Sequence, residues 1–214
     1  VDDSPVVNLS SFNRTHLEDT STGPQPIVIS DFDTPLNAIS IEVVPENPGQ
    51  VAAIQIGGSE GNRTIEVMPA ENFVGNMPLN IFFRSVGGGV LQTLVVLQFL
   101  PVNDPPTLDQ PVNRSLPANP GEQVVTLTGI SPGPPNESGT LQITAVSSDP
   151  AKIPHPTVSY VQGTSTATLT FTPAPDADGT VTITVFVMDD GGTANGGQDS
   201  VSKWFDVAIS PNPG

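Results

Sequence analysis

Cysteine is absent from the 214 residues, so neither a disulfide framework nor a zinc–thiolate site can be built. Basic side chains are scarce: six Lys and Arg stand against 22 Asp and Glu, a formal net charge of −16. A surface of that sign repels nucleic acid and anionic lipid, which excludes both as partners. No stretch of 18 or more apolar residues occurs, and the Val1 start shows neither a charged n-region nor an h-region, so no membrane insertion is expected. Any export signal or anchor would lie outside these residues. One Trp and one Tyr are few for stacking sugars. Helical signals are lacking too, since no segment combines a sustained 3.6 period with a cap and a stop.

What is present is punctuation. The 20 Gly and 24 Pro do not spread evenly but fall between runs rich in Val, Ile, Thr and Phe, as turns between short strands do. Thr168-Leu169-Thr170-Phe171 and Val181-Thr182-Ile183-Thr184-Val185 alternate cleanly, the pattern of a strand with one face on a core. The spacing predicts strands at 5–10, 25–30, 37–44, 50–56, 63–68, 77–85 and 90–100. A second set is predicted at 107–115, 122–129, 139–147, 156–161, 166–172, 180–188 and 200–209. Seven short strands per set imply an all-β chain of two tandem seven-stranded immunoglobulin-like β-sandwiches.

The two sets are copies. An offset of 104 carries Thr64-Ile65 onto Thr168-Leu169, Pro69-Ala70 onto Pro173-Ala174 and Gly75 onto Gly179. Val102-Asn103-Asp104-Pro105-Pro106 echoes Val1-Asp2-Asp3-Ser4-Pro5, and Ile209-Ser210-Pro211 reads as a further joint. The expected domains are 1–104 and 105–214, a slice of a longer array.

The joint Pro101-Val102-Asn103-Asp104-Pro105-Pro106-Thr107, with Asp31-Phe32-Asp33 followed by Asn37 and with Glu18-Asp19, resembles tandem cadherin-like repeats of bacterial surface proteins. The resemblance spans nearly all of both repeats, and it implies calcium between successive domains. Glu71 sits in the segment where those repeats carry an acidic motif, and Asp189 where they carry an aspartate after the sixth strand. The ligand set expected at the central joint is therefore Glu18, Glu71 or Asn72, Asn103 and Asp104, and Asp189 with Asn136 or Glu137, with Asp31, Asp33 and Asn37 after the second strand of the first repeat. On physical grounds, calcium takes six to eight oxygens, and gathering that many carboxylates without a cation is costly. The second repeat departs from the pattern, with Ser131-Pro132-Gly133 in place of the D-x-D, and the first has Ser85 where the second has Asp189. A plain turn at Asn103-Asp104-Pro105 is the other reading of the joint.

Alternation places Leu94, Val96, Leu100 and Phe82 on outward faces of the first repeat, and Trp204, Phe186 and Met188 on those of the second; contiguous apolar stripes of this kind mark contact surfaces. His16 and His155 have no nucleophile in a motif nearby, and no G-x-S-x-G, H-E-x-x-H or P-loop spacing occurs, so no enzyme is expected. Gly87-Gly88-Gly89 and Gly191-Gly192 are expected hairpin turns. Five N-x-S/T sequons begin at Asn8, Asn13, Asn62, Asn113 and Asn136. The expected role is a structural or adhesive module of an extracellular or cell-surface repeat protein, a stiff rod with calcium at its joint. Its expected partners are neighbouring repeats or identical subunits, a cell-surface protein or a glycan. Two alternatives stand beside it: a self-assembling fibre or surface-layer subunit, and a carbohydrate-binding accessory module of a secreted hydrolase.

Overall fold

The computed structural model describes residues 3–213; the Val1-Asp2 echo of the joint lies outside the described residues. Within them the chain is all β, interrupted by 3₁₀ turns at Leu36–Ala38, Pro48–Gln50 and Ala194–Gly196. Among the described residues no helix is long and apolar enough to cross a membrane. The chain divides into two compact units, Val1–Pro101 and Val102–Gly214.

Unit 1 holds β1 (Val6–Asn8), β2 (Thr15–Leu17), β3 (Gln25–Ser30), β4 (Ser40–Pro45), β5 (Val51–Ser59), β6 (Asn62–Pro69), β7 (Gly75–Arg84) and β8 (Val90–Leu100). Two sheets result, ordered β1-β3-β6-β5 and β2-β8-β7-β4. Side chains from both sheets enter one core: Ile27 of β3 and Ile65 of β6 meet Leu79, Ile81 and Phe83 of β7 and Leu97 of β8, all fully buried. Only alternate residues of β7 are fully buried, as the period of two demands.

Unit 2 holds β9 (Arg114–Leu116), β10 (Gln123–Leu127), β11 (Gln142–Ser147), β12 (Thr157–Tyr160), β13 (Ala167–Phe171), β14 (Gly179–Met188) and β15 (Ser200–Ile209). Its sheets are β10-β13-β12 and β11-β14-β15-β9. This is the order of unit 1 with β1 removed. The core again draws on both sheets, with Leu169 of β13 and Ile183, Val185 and Phe205 of β14 and β15 fully buried.

Three local features differ from the sequence reading, each for a physical reason. The opening strand of unit 1 comes in two pieces: β1 pairs antiparallel with β3, while β2 pairs parallel with β8 in the other sheet. Three residues are too few to show a period, which hides β2. The strand expected at 107–115 shrinks to β9 and an isolated Thr107–Ser131 bridge, because Pro111 in its middle supplies no N–H to a ladder. Gly87–Gly89 forms the expected tight turn, with Ser85 N–H on Gly89 O and Gly88 at φ +108°. The segment holding Gly191-Gly192, in contrast, is a longer connection closed by Asp189 N–H on Asp199 O.

Adjacent residues of β15 give a direct check of the alternation. Phe205 is fully buried and Trp204 is 54% exposed. Phe205→Ala should cost about 3–5 kcal/mol of stability, whereas Trp204→Ala should cost below about 1 kcal/mol. Urea unfolding of the two variants measures the difference.

Candidate functional site

Glu18 directly follows β2. Its N–H donates to Leu100 O (2.9 Å) and its side chain is 2% exposed. Asp19 stands at φ +55°, and its Oδ1 accepts Asn72 N–H at 2.6 Å. That bond ties the turn after Pro69 to the end of β2, so Glu71 comes to the same end of unit 1 as Glu18. Glu71 itself is exposed.

The second predicted group lies after β3. Asp31 Oδ1 accepts the N–H groups of Asp33 (3.1 Å) and Thr34 (2.8 Å), which closes a turn. Asp31 Oδ2 is buried without a hydrogen-bond partner. Asp33 Oδ2 accepts Asp3 N–H at 3.2 Å, and an open cleft runs between Asp3, Ser30, Asp31 and Phe32. Asn37 is exposed on the following 3₁₀ turn.

Asn103 is held by unit 2. Its side-chain Nδ2 donates to Asp189 Oδ1 (3.0 Å) and to Gln198 O (2.7 Å), and its backbone O accepts Gln198 N–H (2.9 Å). The connection after β14 is moulded around it. A Cβ at Gly191 would overlap Asn103 Oδ1, and one at Gly197 would come within 3.1 Å of Asn103 Cβ. Glycine at these two positions is therefore a matter of close approach rather than of turn geometry. Asp104, next in the chain, is half-buried.

Asp189 is the second buried carboxylate. Its Oδ1 takes Asn103 Nδ2 and Gly191 N–H (2.8 Å); its Oδ2 is buried with no hydrogen-bond partner, in a side chain 8% exposed. An unmet carboxylate oxygen at such a depth is costly, and a hard cation is one group that meets it. The fit is incomplete. Where a second pair of carboxylates would stand, Ser131 Oγ bonds Thr107 Oγ1 (3.0 Å) and Gly133 O (2.9 Å). Among the described residues no group of three or more His, Cys, Asp or Glu side chains could hold a metal ion. Calcium at Asp189 would thus complete its shell from amide and backbone oxygens and water. At the matching position of unit 1, Ser85 Oγ donates to Gly89 O within the hairpin.

Each histidine ring makes a hydrogen bond to backbone. His155 Nδ1 accepts Ser147 N–H at 3.1 Å, and His16 Nε2 bonds Asn13 O at 3.1 Å with its ring tilted 5.8 Å from Phe99. All five sequon asparagines are exposed. Asp190 is held below its ordinary carboxylate range by the hydroxyl and then the N–H of Thr140, and Asp176 by Asn212 and then Asn119.

The outer sheet faces differ between the units. In unit 1 the outward row Val44–Asn80–Leu94 is flanked by Pro78–Val96 and Glu42–Phe82–Gln92. Arg84 covers the Phe82 ring at 5.0 Å and pairs with Glu42 at 3.4 Å. In unit 2 the outward rows are Gln142–Met188–Ser200, Thr144–Phe186–Ser202 and Val146–Thr184–Trp204.

No family model and no curated protein matches this chain. Solved structures do. Mouse cadherin-23 EC22-24 is 15% identical, with a TM-score of 0.51 over 97% of this chain and 67% of its own. The likeness is one of fold. Human mucin-like protocadherin EC1-2 is 16% identical with a TM-score of 0.47, covering 98% of this chain and 100% of that one. An endo-fucoidan hydrolase of glycoside hydrolase family 107 is 14% identical with a TM-score of 0.39; 99% of this chain matches, over only 29% of that protein.

The Asn103 seat makes two predictions. Asn103→Ala should cost about 1–3 kcal/mol, by stranding buried partners. Gly191→Ala should destabilise the native chain strongly and cost less on an Asn103→Ala background, a non-additivity that a thermal double-mutant cycle reads. The Asp190 carboxyl makes another. Its pKa lies lower in the folded chain than in the unfolded one, so its contribution is present above the unfolded value of 3.8 and fades as pH falls through the folded value. Asp190→Asn should lower the melting temperature at pH 7 and converge with the unmodified chain in the acid range below 3.8, as melting curves at stepped pH will record.

Proposed function

We propose that the chain is a structural or adhesive segment of an extracellular repeat protein, whose sandwiches serve as spacers and contact surfaces rather than as a catalyst. The observation that carries this reading is the same strand order built twice, with the joint residue Asn103 fixed to unit 2 by its side chain and its backbone. A joint residue seated in this way belongs to a folded module rather than to a free linker. The cadherin-23 likeness in fold supports an extracellular setting. The acidic surface suits a protein that stays dispersed at a cell exterior.

Calcium belongs to this proposal. Asn103, Asp104 and Asp189 are its candidate ligands in unit 2, with Asp189 Oδ2 the oxygen most in need of a cation. Glu18 and Glu71 at one end of unit 1, and Asp31, Asp33 and Asn37 after β3, are further candidates. A cation that binds only the folded state adds about 2.7 kcal/mol at a hundredfold excess over its Kd. Calcium should therefore raise the melting temperature relative to EGTA, and Asp189→Asn should abolish most of the rise. Identical melting curves in calcium and EGTA would remove calcium from the account.

A second reading, self-assembly, is favoured by one observation. The outer face of β8 in unit 1 presents Val90 (44% exposed), Leu94 (51%) and Leu100 (37%), with Val96 between the last two and Gln92 and Gln98 interspersed. Apolar side chains recurring along one strand face in this way suit a subunit contact. Leu94→Asp would then shift a concentrated sample from oligomer to monomer in sedimentation velocity; a sample monomeric throughout argues against assembly.

A further inference from the structure

The outer face of unit 2 occupies the same place in its sheet as the outer face of unit 1, yet its chemistry is different. Residue 204 stands where unit 1 has Leu94, residue 206 where it has Val96, and residue 182 where it has Pro78; the substitutes are Trp, Asp and Thr. Phe186 matches Phe82. Phe82 is covered by Arg84, but the residue matching Arg84 is Met188, so Phe186 has no cation over its ring. Trp204 is 54% exposed, Phe186 42% and Met188 48%.

These side chains do not form a continuous apolar patch. Trp204 lies opposite Thr184, and Phe186 lies between Thr144 and Ser202. One row beyond Trp204, Thr182 Oγ1 donates to Asp206 Oδ1 at 2.7 Å. Aromatic rings separated by hydroxyls on an unbroken ten-residue strand pair make a flat surface that offers ring faces and hydrogen-bonding groups by turns. The cores of protein interfaces are rich in Trp, Phe and Met but depleted in Ser and Asp, and here Thr and Ser set the rings apart, so the face offers no continuous apolar core to a second protein. It suits a sugar polymer, whose C–H faces carry partial positive charge and lie against the negative face of an aromatic ring, while its hydroxyls meet Thr, Ser and carboxylate groups.

Charge narrows the class. The outward positions of β11, β14 and β15 carry one charged group, Asp206, and no Lys or Arg, on a chain of net charge −16. Uronate and sulfate polymers are repelled, and neutral ones are not. The platform is also held in place from its border. Gln110 Nε2 donates to Trp204 O, and Asn113 Oδ1 accepts Asp206 N–H at 2.9 Å, so the backbone under Trp204 and Asp206 is fixed before any ligand arrives.

We infer that the outer β14–β15 face of unit 2 is a binding platform for neutral polysaccharide, with Trp204 and Phe186 as stacking rings and Asp206 and Thr184 as polar contacts. Affinity electrophoresis of the whole chain through gels holding xylan, mixed-linkage β-glucan or galactomannan tests it, with polygalacturonate as the anionic control. At least one neutral polymer should retard the chain. Trp204→Ala should weaken that binding at least tenfold and Phe186→Ala at least threefold; Trp204→Phe should retain most of it and Leu94→Ala all of it. Trp204 and Phe186 are surface residues, so the variants should keep their far-UV spectra. Several outcomes overturn the inference: no retardation by any of the three neutral polymers, stronger retardation by polygalacturonate than by all of them, retardation unchanged in Trp204→Ala, or a dimer in free solution that Trp204→Ala abolishes.

Discussion

One-sided burial of two long antiparallel strand pairs, β7–β8 and β14–β15, is the constraint from which the other features follow. Met77, Leu79, Ile81 and Phe83 point inward from β7, and Val181, Ile183, Val185 and Val187 do the same from β14. Slipping either pair by one residue would turn each of these onto the solvent face. With register fixed, the ends of the strands are fixed as well. Asp189, one residue past β14, is therefore held at the strand end where Asn103 can reach it.

The same constraint explains how two copies of one module can do different things. The fully buried inward positions must remain apolar in both, and they do, while the part-buried Thr93 of β8 and Lys203 of β15 are polar. Outward positions are free to change, and there Leu94 has become Trp204 and Val96 has become Asp206. The loops diverge as well: a tight glycine turn follows β7, while the connection after β14 is long enough to enclose Asn103. Divergence thus concentrates where packing does not oppose it, on outer faces and strand ends, and these are the places from which binding is argued.

Much of this was legible in the sequence for a reason of scale. Strands of five residues or more, such as β3, β13 and β15, display their alternation, and the 104-residue offset shows through the inward residues that β6 and β7 share with β13 and β14. The three-residue β2 could not be seen, and Pro111 broke the run expected at 107–115. For the candidate site, Asp31 and Asp33 stood out as a pair, but that Asp31 Oδ1 is taken by the N–H groups of Asp33 and Thr34 was not readable. The burial of Glu18 was not readable, because it depends on β2 pairing with β8. Nor was the role of Gly191, which reads as a turn residue until the side chain of Asn103 is found against it. Asn103 and Asp189, 86 positions apart, must meet before that connection is explained.

The central claim is that each sandwich is complete on its own core, with the joint residue Asn103 part of the second. A two-dimensional ¹H–¹⁵N NMR spectrum of the isolated fragment 102–214, laid over that of the whole chain, tests this most directly. The account predicts dispersed peaks that superimpose for the β10–β15 core and for Gln198. A collapsed, unfolded-like spectrum, or a fragment 105–214 just as well folded and stable, would contradict it.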